Sequence, residues 1–354
     1  MRIRVADQVV EKIHLRKWCK DHLDHRDDWI ADIASALEDW YDDKDYISVQ
    51  TSGSTGTPKL IKNSKVSMIR SAEKTAKFLG LTNGQTALNV LPANFIAGRM
   101  MIYRALVSGL DLTCIEPKLD LSGSILVLAS RFDFCAMTPL QLSSTLSQSE
   151  EAISTINQLI IGGAPISASL QTRISRLETK CYATYGMTET ITHVAMKALN
   201  HPAAEEQYQA IEGVRFDTKD GCLVIHADHL DEPQLTTRDI VDLVDDQSFI
   251  WKGRADYIIN RGGVKLQPEL IESQLAPFLL PQFFIGKRSA DHVGEEPILV
   301  IEGSESEQED IDNLLDRLPK LWRPAQVYYT SELIKTDSGK IIRDISLYDI
   351  STKS

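Results

Sequence analysis

The strongest constraint on the fold is an alternation of short apolar runs with helix-like segments between Thr86 and Tyr185. Five runs have the length and content of buried strands: TALNVLP, LTCIE, FCAM, LIIG and CYATY. Helices are predicted between them over residues 95–107, 139–146 and 168–177. Such alternation is typical of an α/β domain with a largely parallel sheet. Ligands of these sheets bind at the carboxyl ends of the strands, so polar segments that follow strands are candidate site residues.

The size and charge of the chain narrow the class of protein. A length of 354 residues is enough for two domains, and 43% hydrophobic with 25% charged residues is ordinary for a globular protein. The net charge of −12 argues against nucleic acid or an anionic membrane as the partner. No apolar run is long enough to span a bilayer, and the polar start MRIRVADQVVEK is unlike a signal peptide.

The cysteines indicate a reducing compartment. There are five, widely spaced and without a CxxC pair, so neither a disulfide scaffold nor a zinc knuckle is expected. Cys114, Cys135 and Cys181 lie inside apolar runs and are predicted to be core residues. The expected location is the cytoplasm.

The first 45 residues are predicted to be mainly helical. Apolar positions between Asp27 and Tyr41 form a helical stripe. Trp18, Trp29 and Trp40 recur every eleven residues, about three helical turns, so they are predicted to share one face.

The second half of the chain has a different pattern. Residues 207–249 have short, β-like periods, with a turn at Asp220-Gly221. The HADH segment at 226–229 is predicted to be a surface loop rather than a metal site. From Ala255 a strand, a Gly-Gly turn, a second strand and a helix entered through Pro268 predict a small α+β domain. The predicted domains are therefore 1–254 and 255–354.

The polar segment Thr51–Lys59, TSGSTGTPK, is a predicted phosphate-binding loop. Its glycines let backbone N–H groups turn inward, its hydroxyls add donors, and Lys59 adds a positive charge. A β-like run precedes it at 46–50 and a helix-like run follows at 64–79, an order typical of nucleotide binding. Neither GxxxxGK[ST] nor GxGxxG fits, and a flexible Ser/Gly linker is the alternative.

Two more polar segments, Gly162–Pro165 and Gly186–Thr190, follow predicted strands, so all three segments are expected to face one crevice. In YGMTET the ring of Tyr185 can stack on a base, and the Thr188 hydroxyl can bond a phosphate. The Glu189 carboxylate can hold Mg²⁺. A strand-to-loop turn without function is the alternative for this segment.

Three charged candidates come from TTRD, WKGRAD and KTDSGKIIRD. Asp239 can accept hydrogen bonds from ribose hydroxyls, and Arg254 lies near the junction of the predicted domains. Lys340 follows a Ser-Gly pair and can extend into a neighbouring site as a mobile point charge. Exposed surface charge is the alternative for each residue taken alone.

Taken in order, seven motifs resemble the adenylate-forming superfamily of acyl-CoA synthetases: TSGSTGTPK, GGAP, YGMTE, TRD, GRAD, NRGGVKLQPELIE and TDSGK. The resemblance runs from Tyr46 to the end of the chain. It implies a large α/β N-terminal domain, shortened before the phosphate loop, joined by a hinge to a small α+β C-terminal domain. It also implies an AMP-forming acid–thiol ligase. ATP and a carboxylate would give an acyl-adenylate and pyrophosphate, and the thiol of CoA would then displace AMP.

The resemblance also implies roles for the matched residues. Lys340 would bridge the carboxylate and the α-phosphate as negative charge develops there. Thr188 would meet phosphate, and Glu189 would bind Mg²⁺. Asp256 falls at the hinge, about which the small domain would rotate between the half-reactions. Gly263 is implied in leaving room for the pantetheine of CoA. The residues implied in holding ATP are Thr51, Ser52, Gly53, Ser54, Thr55, Gly56, Thr57, Lys59, Gly162, Gly163, Ala164, Tyr185, Gly186, Asp239 and Arg254.

The chain departs from the superfamily pattern in three places. Only fifty residues precede Thr51, Arg238 replaces the glycine of the usual TGD, and Phe95 replaces the histidine of an LPLFH-like segment. The short length, together with LPANFIAGRMM and MTPLQL, resembles the compact o-succinylbenzoate–CoA ligases of menaquinone biosynthesis.

That substrate is a dicarboxylate with an aromatic ring, so its pocket needs an apolar wall and a donor for the second carboxylate. An exposed helix charge is the alternative for the first donor candidate, Arg99. The wall candidates are Phe95, Ile96, Met137 and Leu140, and the donor candidates are Arg99 and Thr138.

The implied partners are a small carboxylate, ATP and CoA, without nucleic acid, and a homodimer is one option for the assembly. A CoA ligase for another aryl or fatty acid is the alternative enzyme. An amino-acid-adenylating enzyme fits less well, because LPANFIAG has no counterpart of that family's pocket aspartate. A degenerate, non-catalytic nucleotide-binding protein is a further alternative. The retained residues that argue against it are Glu189, Asp239, Arg254 and Lys340.

Overall fold

The computed structural model describes residues 1–50, 60–200, 204–279, 282–290, 292–304, 311–336 and 341–352. By their internal contacts the residues group into two units. The first consists of Met1–Ile166, Thr172–Arg215 and Ile225–Leu235, and the second of Ser167–Gln171, Phe216–Val224 and Thr236–Ser354. The domain boundary between residues 254 and 255 is predicted at the hinge of a moving domain, and this boundary stays a prediction.

Most residues of the following elements belong to the first unit. Its strands are β1 (Arg2–Val5), β2 (Gln8–Glu11), β3 (Tyr46–Gln50), β4 (Leu60–Ser64), β5 (Thr86–Asn89), β6 (Asp111–Cys114), β7 (Phe132–Met137), β8 (Ile156–Ile161), β9 (Lys180–Gly186), β10 (His193–Ala198) and β11 (Tyr208–Ala210). Its helices are α1 (Leu15–His22), α2 (Asp28–Tyr41), α3 (Lys65–Leu79), α4 (Ile96–Ser108), α5 (Ser122–Val127), α6 (Pro139–Gln148) and α7 (Glu150–Ser154). A further helix, α8 (Ala168–Ile174), has residues in both units.

A largely parallel sheet organises the first unit. Among the described residues its strands follow the order β11-β10-β9-β8-β7-β5-β6-β1-β2. The stretch from β9 to β1 is parallel throughout, and β11, β10 and β2 join it antiparallel. Strands covered on both faces read as continuous apolar runs, as in residues 134–137 of β7, where Phe134, Cys135 and Met137 are all buried. The predicted α/β class is confirmed, together with all five predicted strands of the sheet.

The cysteines and helix α4 belong to the core. All five cysteines are buried and unpaired, which confirms the predicted placement of Cys114, Cys135 and Cys181. Burial raises the pKa of the Cys114 thiol to about 12, so it stays protonated and is a poor nucleophile. In α4 every residue from Gly98 to Leu106 is buried. A helix buried on all sides belongs inside the unit rather than on its surface.

The prediction for the first 45 residues is only partly correct. Residues 2–11 form β1 and β2 rather than helix, with Ile3 and Val5 buried and β1 paired to the distant strand β6. The predicted helix 27–41 is confirmed as α2. The tryptophans do not share one helix face, because Trp18 lies in α1 whereas Trp29 and Trp40 lie in α2.

The second unit holds most residues of the elements that follow in the chain. They are β12 (Val214–Lys219), β13 (Cys222–Ala227), β14 (Gln234–Asp245), β15 (Ser248–Arg254), β16 (Ile259–Arg261), β17 (Val264–Leu266), α9 (Pro268–Leu275), β18 (Phe283–Ala290), β19 (Gly294–Glu302), α10 (Ile311–Asp316), β20 (Val327–Thr330) and β21 (Ser351–Thr352). Strands β12, β13, β14 and β15 are neighbours in that order. The turn predicted between β12 and β13 is confirmed, since Asp220 and Gly221 have φ of +53° and +78°, as a two-residue hairpin turn requires.

The C-terminal part of this unit is the predicted α+β structure. Strands β17, β16, β19, β20 and β21 are neighbours in that order, and β18 also pairs with β19. The sheet packs against α9 and α10 through a core that includes Ile271, Leu299 and Leu315. The predicted Gly-Gly turn and the helix entered through Pro268 are both confirmed. In the described part of the chain, no helix combines the length and apolar character needed to cross a bilayer.

Candidate active site

The segment predicted to bind phosphate joins two paired strands. β3 and β4 are antiparallel, with Tyr46 opposite Ser64 and Gln50 opposite Leu60. The segment itself, Thr51–Lys59, lies outside the described residues. The predicted order of strand, loop and helix is wrong, because β4 stands between the loop and α3. The polar run LIKNS of β4 gave no strand signal.

The N-terminus of α3 already has an anionic partner. Ser64 caps the helix, and its N–H and hydroxyl donate to the Asp231 carboxylate at 2.7 and 2.6 Å. The Ser67 hydroxyl donates to the same carboxylate at 2.8 Å. Burial raises the pKa of Asp231, but these hydrogen bonds outweigh it and hold the pKa below its usual range. The helix terminus that could have held a phosphate is therefore filled by the chain itself.

The two polar segments that follow β8 and β9 lie side by side. The strands are parallel neighbours, with Ile161 opposite Ala183 near their ends. A Cβ added to Gly162 would lie 2.2 Å from the Thr184 hydroxyl, so only glycine fits between the two strands. This arrangement brings the predicted adenine-lining residues Gly162, Gly163 and Ala164 to the same sheet edge as Tyr185 and Gly186.

The YGMTET segment leaves its two chemical candidates accessible. Thr188–Thr190 form one turn of 3-10 helix, in which Thr188 is half-buried and Glu189 is exposed. A Cβ on Gly186 would lie 2.1 Å from the backbone oxygen of Thr192, so glycine is required where the returning chain passes. An exposed carboxylate here fits Mg²⁺, which binds through one or two protein carboxylates together with substrate phosphates and water. When bound, the ion would screen the phosphate charge.

The predicted ribose-binding pair is brought together in the second unit. Asp239 on β14 stands opposite Arg254 on β15, with Nη1 and Oδ1 3.7 Å apart. The Trp251 indole N–H donates to the same carboxylate at 3.2 Å. Burial lowers the pKa of Arg254, but bonding to Asp256 and the charge of Asp239 outweigh it and raise the pKa above its usual value. Two acceptor oxygens beside a guanidinium suit a polyhydroxylated group.

The predicted hinge residue Asp256 is held by two arginines. Arg254 Nη2 and Arg238 Nε lie 2.7 and 2.9 Å from its two carboxylate oxygens. Arg238 is the residue that departs from the usual TGD. It pairs with Asp256 and leaves the pairing of Asp239 with Arg254 in place.

The remaining predicted residues of the nucleotide and CoA site are a Gly-Gly pair near the start of the predicted C-terminal domain and Lys340 near its end. Gly262 and Gly263 have φ of +59° and +83°, the values of a tight hairpin turn between β16 and β17. Nothing lies within 4 Å of a Cβ added to either glycine, so backbone conformation rather than crowding favours glycine here. Lys340 lies outside the described residues.

Both predicted donors for the substrate have partners within the fold. Arg99 is only 8% exposed, so the alternative of an exposed helix charge is wrong. Its Nε donates to the Ala93 carbonyl at 3.0 Å, and its Nη1 pairs with Asp39 of α2. The Thr138 hydroxyl caps α6 by accepting from the Gln141 N–H at 3.1 Å. Their roles towards substrate stay predictions.

The proposed wall residues differ in burial. Met137 is buried, and Phe95 and Ile96 are half-buried at the start of α4. Leu140 is 42% exposed, which makes it the weakest candidate for a wall.

Sequence reasoning missed Arg104, the most unusual charged residue of the first unit. It is 2% exposed on α4, with its guanidinium 5.5 Å from the centre of the Phe134 ring and Nη1 3.4 Å from the Met101 sulfur. Its Nε has no hydrogen-bond partner, and no described carboxylate pairs with it. Burial lowers its pKa to about 10. The one available signal was an arginine inside the apolar run MMIYRALV.

Arg104 lies close to the YGMTET segment through His193. Burial and the charge of Arg104 lower the pKa of His193 to about 3, so the imidazole is neutral at pH 7. His193 Nε2 bonds the Thr75 hydroxyl at 2.9 Å. On the adjoining strand, Gly186 is its cross-strand partner. The charge of Arg104 therefore acts on a residue of the strand next to the one that ends in YGMTET.

The prediction of a surface loop for HADH is wrong, because His226 and Ala227 are the last residues of β13 and the second histidine is in the core. His229 is buried, and neither ring nitrogen has a hydrogen-bond partner among the described residues. Burial lowers its pKa to about 4, with Lys74 and Arg70 acting in the same direction and Asp228 opposing them. Because HADH also contains His226 and Asp228, the local sequence gave no sign that His229 is buried.

Comparison with known proteins agrees with this arrangement. The family model "AMP-binding enzyme" matches residues 6–217, more than half of the chain. The 2-succinylbenzoate–CoA ligase of Lactococcus lactis is 24% identical over 97% of this chain and 78% of its own length. The enzyme of the same name from Haemophilus influenzae is 25% identical over 83% of this chain and 68% of its own.

Solved structures show the same fold. An acyl-CoA synthetase (AMP-forming)/AMP-acid ligase II-like protein of Dyadobacter fermentans has a TM-score of 0.63 and 33% identity, and the match covers 92% of this chain and 95% of that one. The o-succinylbenzoate CoA synthetase of Bacillus subtilis, in complex with its acyl-adenylate, has a TM-score of 0.74 and 19% identity over 87% of this chain and 69% of its own. The chain belongs to the AMP-binding enzyme family.

Proposed function

We propose that this protein is an AMP-forming carboxylate–CoA ligase that converts o-succinylbenzoate to o-succinylbenzoyl-CoA in menaquinone biosynthesis. In the first half-reaction a carboxylate oxygen attacks the α-phosphorus of ATP, and the bond to pyrophosphate breaks. In the second the sulfur of CoA attacks the acyl carbon, and the bond to AMP breaks. Membership of the family supports this proposal, as does the 2-succinylbenzoate–CoA ligase that aligns over 97% of this chain.

The observation that carries the choice of substrate is the buried, unpaired Arg104. Burying an isolated charge is costly, and a chain keeps one where a partner arrives from elsewhere. The second carboxylate of a dicarboxylate substrate would be that partner, and a guanidinium binds a carboxylate through two parallel hydrogen bonds. Phe134 and Met101, which contact the guanidinium, are apolar and buried, so the surroundings of the charge are apolar.

The position of Arg104 also suits a substrate with two carboxylates. The reacting carboxylate would lie at the strand end that carries Thr188, and the second one would pair with Arg104, whose charge acts on His193 of the neighbouring strand. A neutral His193 adds no competing charge. For this role Arg104 replaces Arg99, whose guanidinium already pairs with Asp39.

The predicted site residues take their roles in this proposal. Segment 51–59 holds the phosphates, Thr188 contacts phosphate, and Glu189 binds Mg²⁺. Asp239 and Arg254 hold the ribose, and Lys340 stabilises charge on the α-phosphate. The domain 255–354 rotates about Asp256 between the half-reactions.

The proposed setting is the cytoplasm, where five buried, unpaired thiols remain reduced. A homodimer is carried forward as one option for the assembly, and sedimentation velocity tests it.

A pyrophosphate-exchange assay with a panel of carboxylates tests the function. We expect exchange with o-succinylbenzoate, followed by release of AMP when CoA is added. Exchange with benzoate or fatty acids alone would contradict the substrate and leave a CoA ligase of another specificity. Absence of exchange with every carboxylate would leave the non-catalytic nucleotide-binding protein.

A further inference from the structure

The chain makes an unusual turn directly after YGMTET. Ile191 has φ +65° and ψ −62°, and the Thr192 N–H donates to the Thr190 carbonyl at 2.7 Å. These values define a γ-turn of the rare positive-φ kind. A β-branched residue is strained in this region, and Ile191 is also buried. Such strain persists only where the surrounding contacts impose it.

The side chain that imposes this turn is Thr190, which is fully buried. Its hydroxyl accepts from the Met187 N–H at 2.9 Å and lies 2.6 Å from the Thr192 carbonyl and 3.0 Å from the Met187 carbonyl. The hydroxyl has one hydrogen, so it donates to one of these two carbonyls at a time. A single oxygen thus joins the backbone before Thr188 to the backbone after Ile191.

Two outside contacts fix this closed turn to the rest of the first unit. The Thr192 hydroxyl lies 3.0 Å from the Ser71 hydroxyl of α3. The Thr192 carbonyl packs where only glycine is possible at position 186. The turn between them presents Thr188 and Glu189 outward, while Thr190 points into the unit.

We propose that Thr190 is a positioning residue for the MgATP site, because its hydroxyl holds the backbone of Thr188 and Glu189 in the orientation that meets the phosphates and the metal. This inference rests on the proposed function for the identity of the ligand. It assigns Thr190 no contact with substrate. A purely structural role would lower stability without changing how MgATP binds to the folded protein.

The test compares Thr190→Val, Thr190→Ser and Thr190→Cys with the wild type. Valine keeps the shape and removes the hydroxyl, serine retains the hydroxyl, and cysteine offers only a weak donor. Thr145→Val is the matched control, since Thr145 is also fully buried and its hydroxyl accepts a backbone N–H, from Leu121, at 3.1 Å. MgATP binding is measured by calorimetry, and each half-reaction is measured separately.

We expect Thr190→Val to weaken MgATP binding and the adenylation rate by about ten- to a hundredfold, since small displacements of positioned groups have effects of this size. Thioester formation from premade o-succinylbenzoyl-AMP should stay within about twofold, because it needs neither pyrophosphate nor its metal. Serine should restore MgATP binding, and cysteine should be intermediate. Should the valine variant not fold, the cysteine variant gives the comparison.

Three results would overturn the inference. They are wild-type MgATP affinity in Thr190→Val, an equal loss in both half-reactions, or an equal loss in Thr145→Val. A wild type that binds MgATP but exchanges no pyrophosphate would contradict the proposed function alone, because the binding measurement still decides the role of Thr190.

Discussion

Arg238 and Asp256 form an ion pair, with Nε 2.9 Å from Oδ1, at the place where the superfamily motif has a glycine. Arg254 occupies the other carboxylate oxygen at 2.7 Å. Burial raises the pKa of Asp256, but the two guanidinium groups outweigh it and lower the pKa below its usual range. The substitution therefore adds a second cation at Asp256, the predicted hinge residue, without displacing the partner of Asp239.

We expect Arg238→Gly to change the free energy of unfolding by less than about 1 kcal/mol, because an exposed ion pair contributes little. Arg238 is 63% exposed, and Arg254 still holds Asp256. MgATP affinity should stay as in the wild type, whereas the comparison variant Arg254→Gln should lose it. Urea unfolding and calorimetry check this, and a loss of MgATP affinity in Arg238→Gly would show that it supports the ribose site.

Arg104→Met should separate stability from substrate use. Removing a buried, unpaired charge is expected to leave the free energy of unfolding unchanged or raise it by about 1 kcal/mol or more. The KM for o-succinylbenzoate should rise by roughly ten- to two-hundredfold. This range corresponds to the loss of one hydrogen bond to a charged group, about 1.5–3 kcal/mol. The KM for MgATP should be unaffected. A variant that loses several kcal/mol of stability would instead give Arg104 a structural role.

His229→Leu should stabilise the protein, and more so in acid. The folded pKa of His229 is lowered to about 4, so below its ordinary pKa of about 6.5 the unfolded chain takes up the proton first. The wild type then loses stability as pH falls from about 6.5 towards 4, and the variant lacks this loss. We expect a gain of about 1 kcal/mol at pH 7.5, growing by up to about 1.4 kcal/mol per pH unit below 6.5.

Thermal and urea unfolding at several pH values check the sign of this effect. His226→Leu is the control on the same segment, since His226 is only half-buried. A gain that does not grow between pH 7.5 and 5 would mean that folding does not lower the pKa of His229.

Lys340→Ala should block formation of the adenylate but spare thioester formation from premade acyl-AMP. The proposed lysine stabilises charge that develops only during attack on the α-phosphate, so the loss should fall on one half-reaction. Pyrophosphate exchange and thioester formation are measured on the same preparation. An equal loss in both would contradict the two-conformation scheme.

The elements that could be predicted are those whose own local sequence shows that they are buried. The parallel strands β5 to β9 each contain a short apolar run, and the rule that ligands meet strand ends then predicted that Gly162 and Tyr185 share one edge of the sheet. β1 was missed because its four residues are held by pairing with β6, far along the chain. β4 was missed because its sequence is polar.

Charged residues in the core mark the limit of this reasoning. A charge is normally exposed, so Arg99 and His229 gave no local sign of their burial, and for Arg104 the apolar run MMIYRALV was the one sign. Only the helix around Arg104, buried on every side, distinguishes it from a surface residue. Thr190 could not be identified from the sequence either, because its proposed role depends on contacts with three backbone atoms that only the structure shows.

The hairpin that carries residues 51–59 has a consequence for chain entropy. Gln50 and Leu60 are cross-strand partners, so the two ends of the segment between them are already held together by the fold. The entropy of closing that loop is lost once, on folding, and binding a nucleotide does not require it again. Lengthening the segment by a few residues would change this closure term by only a few tenths of a kcal/mol, since even doubling a loop costs about 0.6 kcal/mol. Any larger loss of ATP affinity in an insertion variant would therefore measure contacts made by these residues themselves.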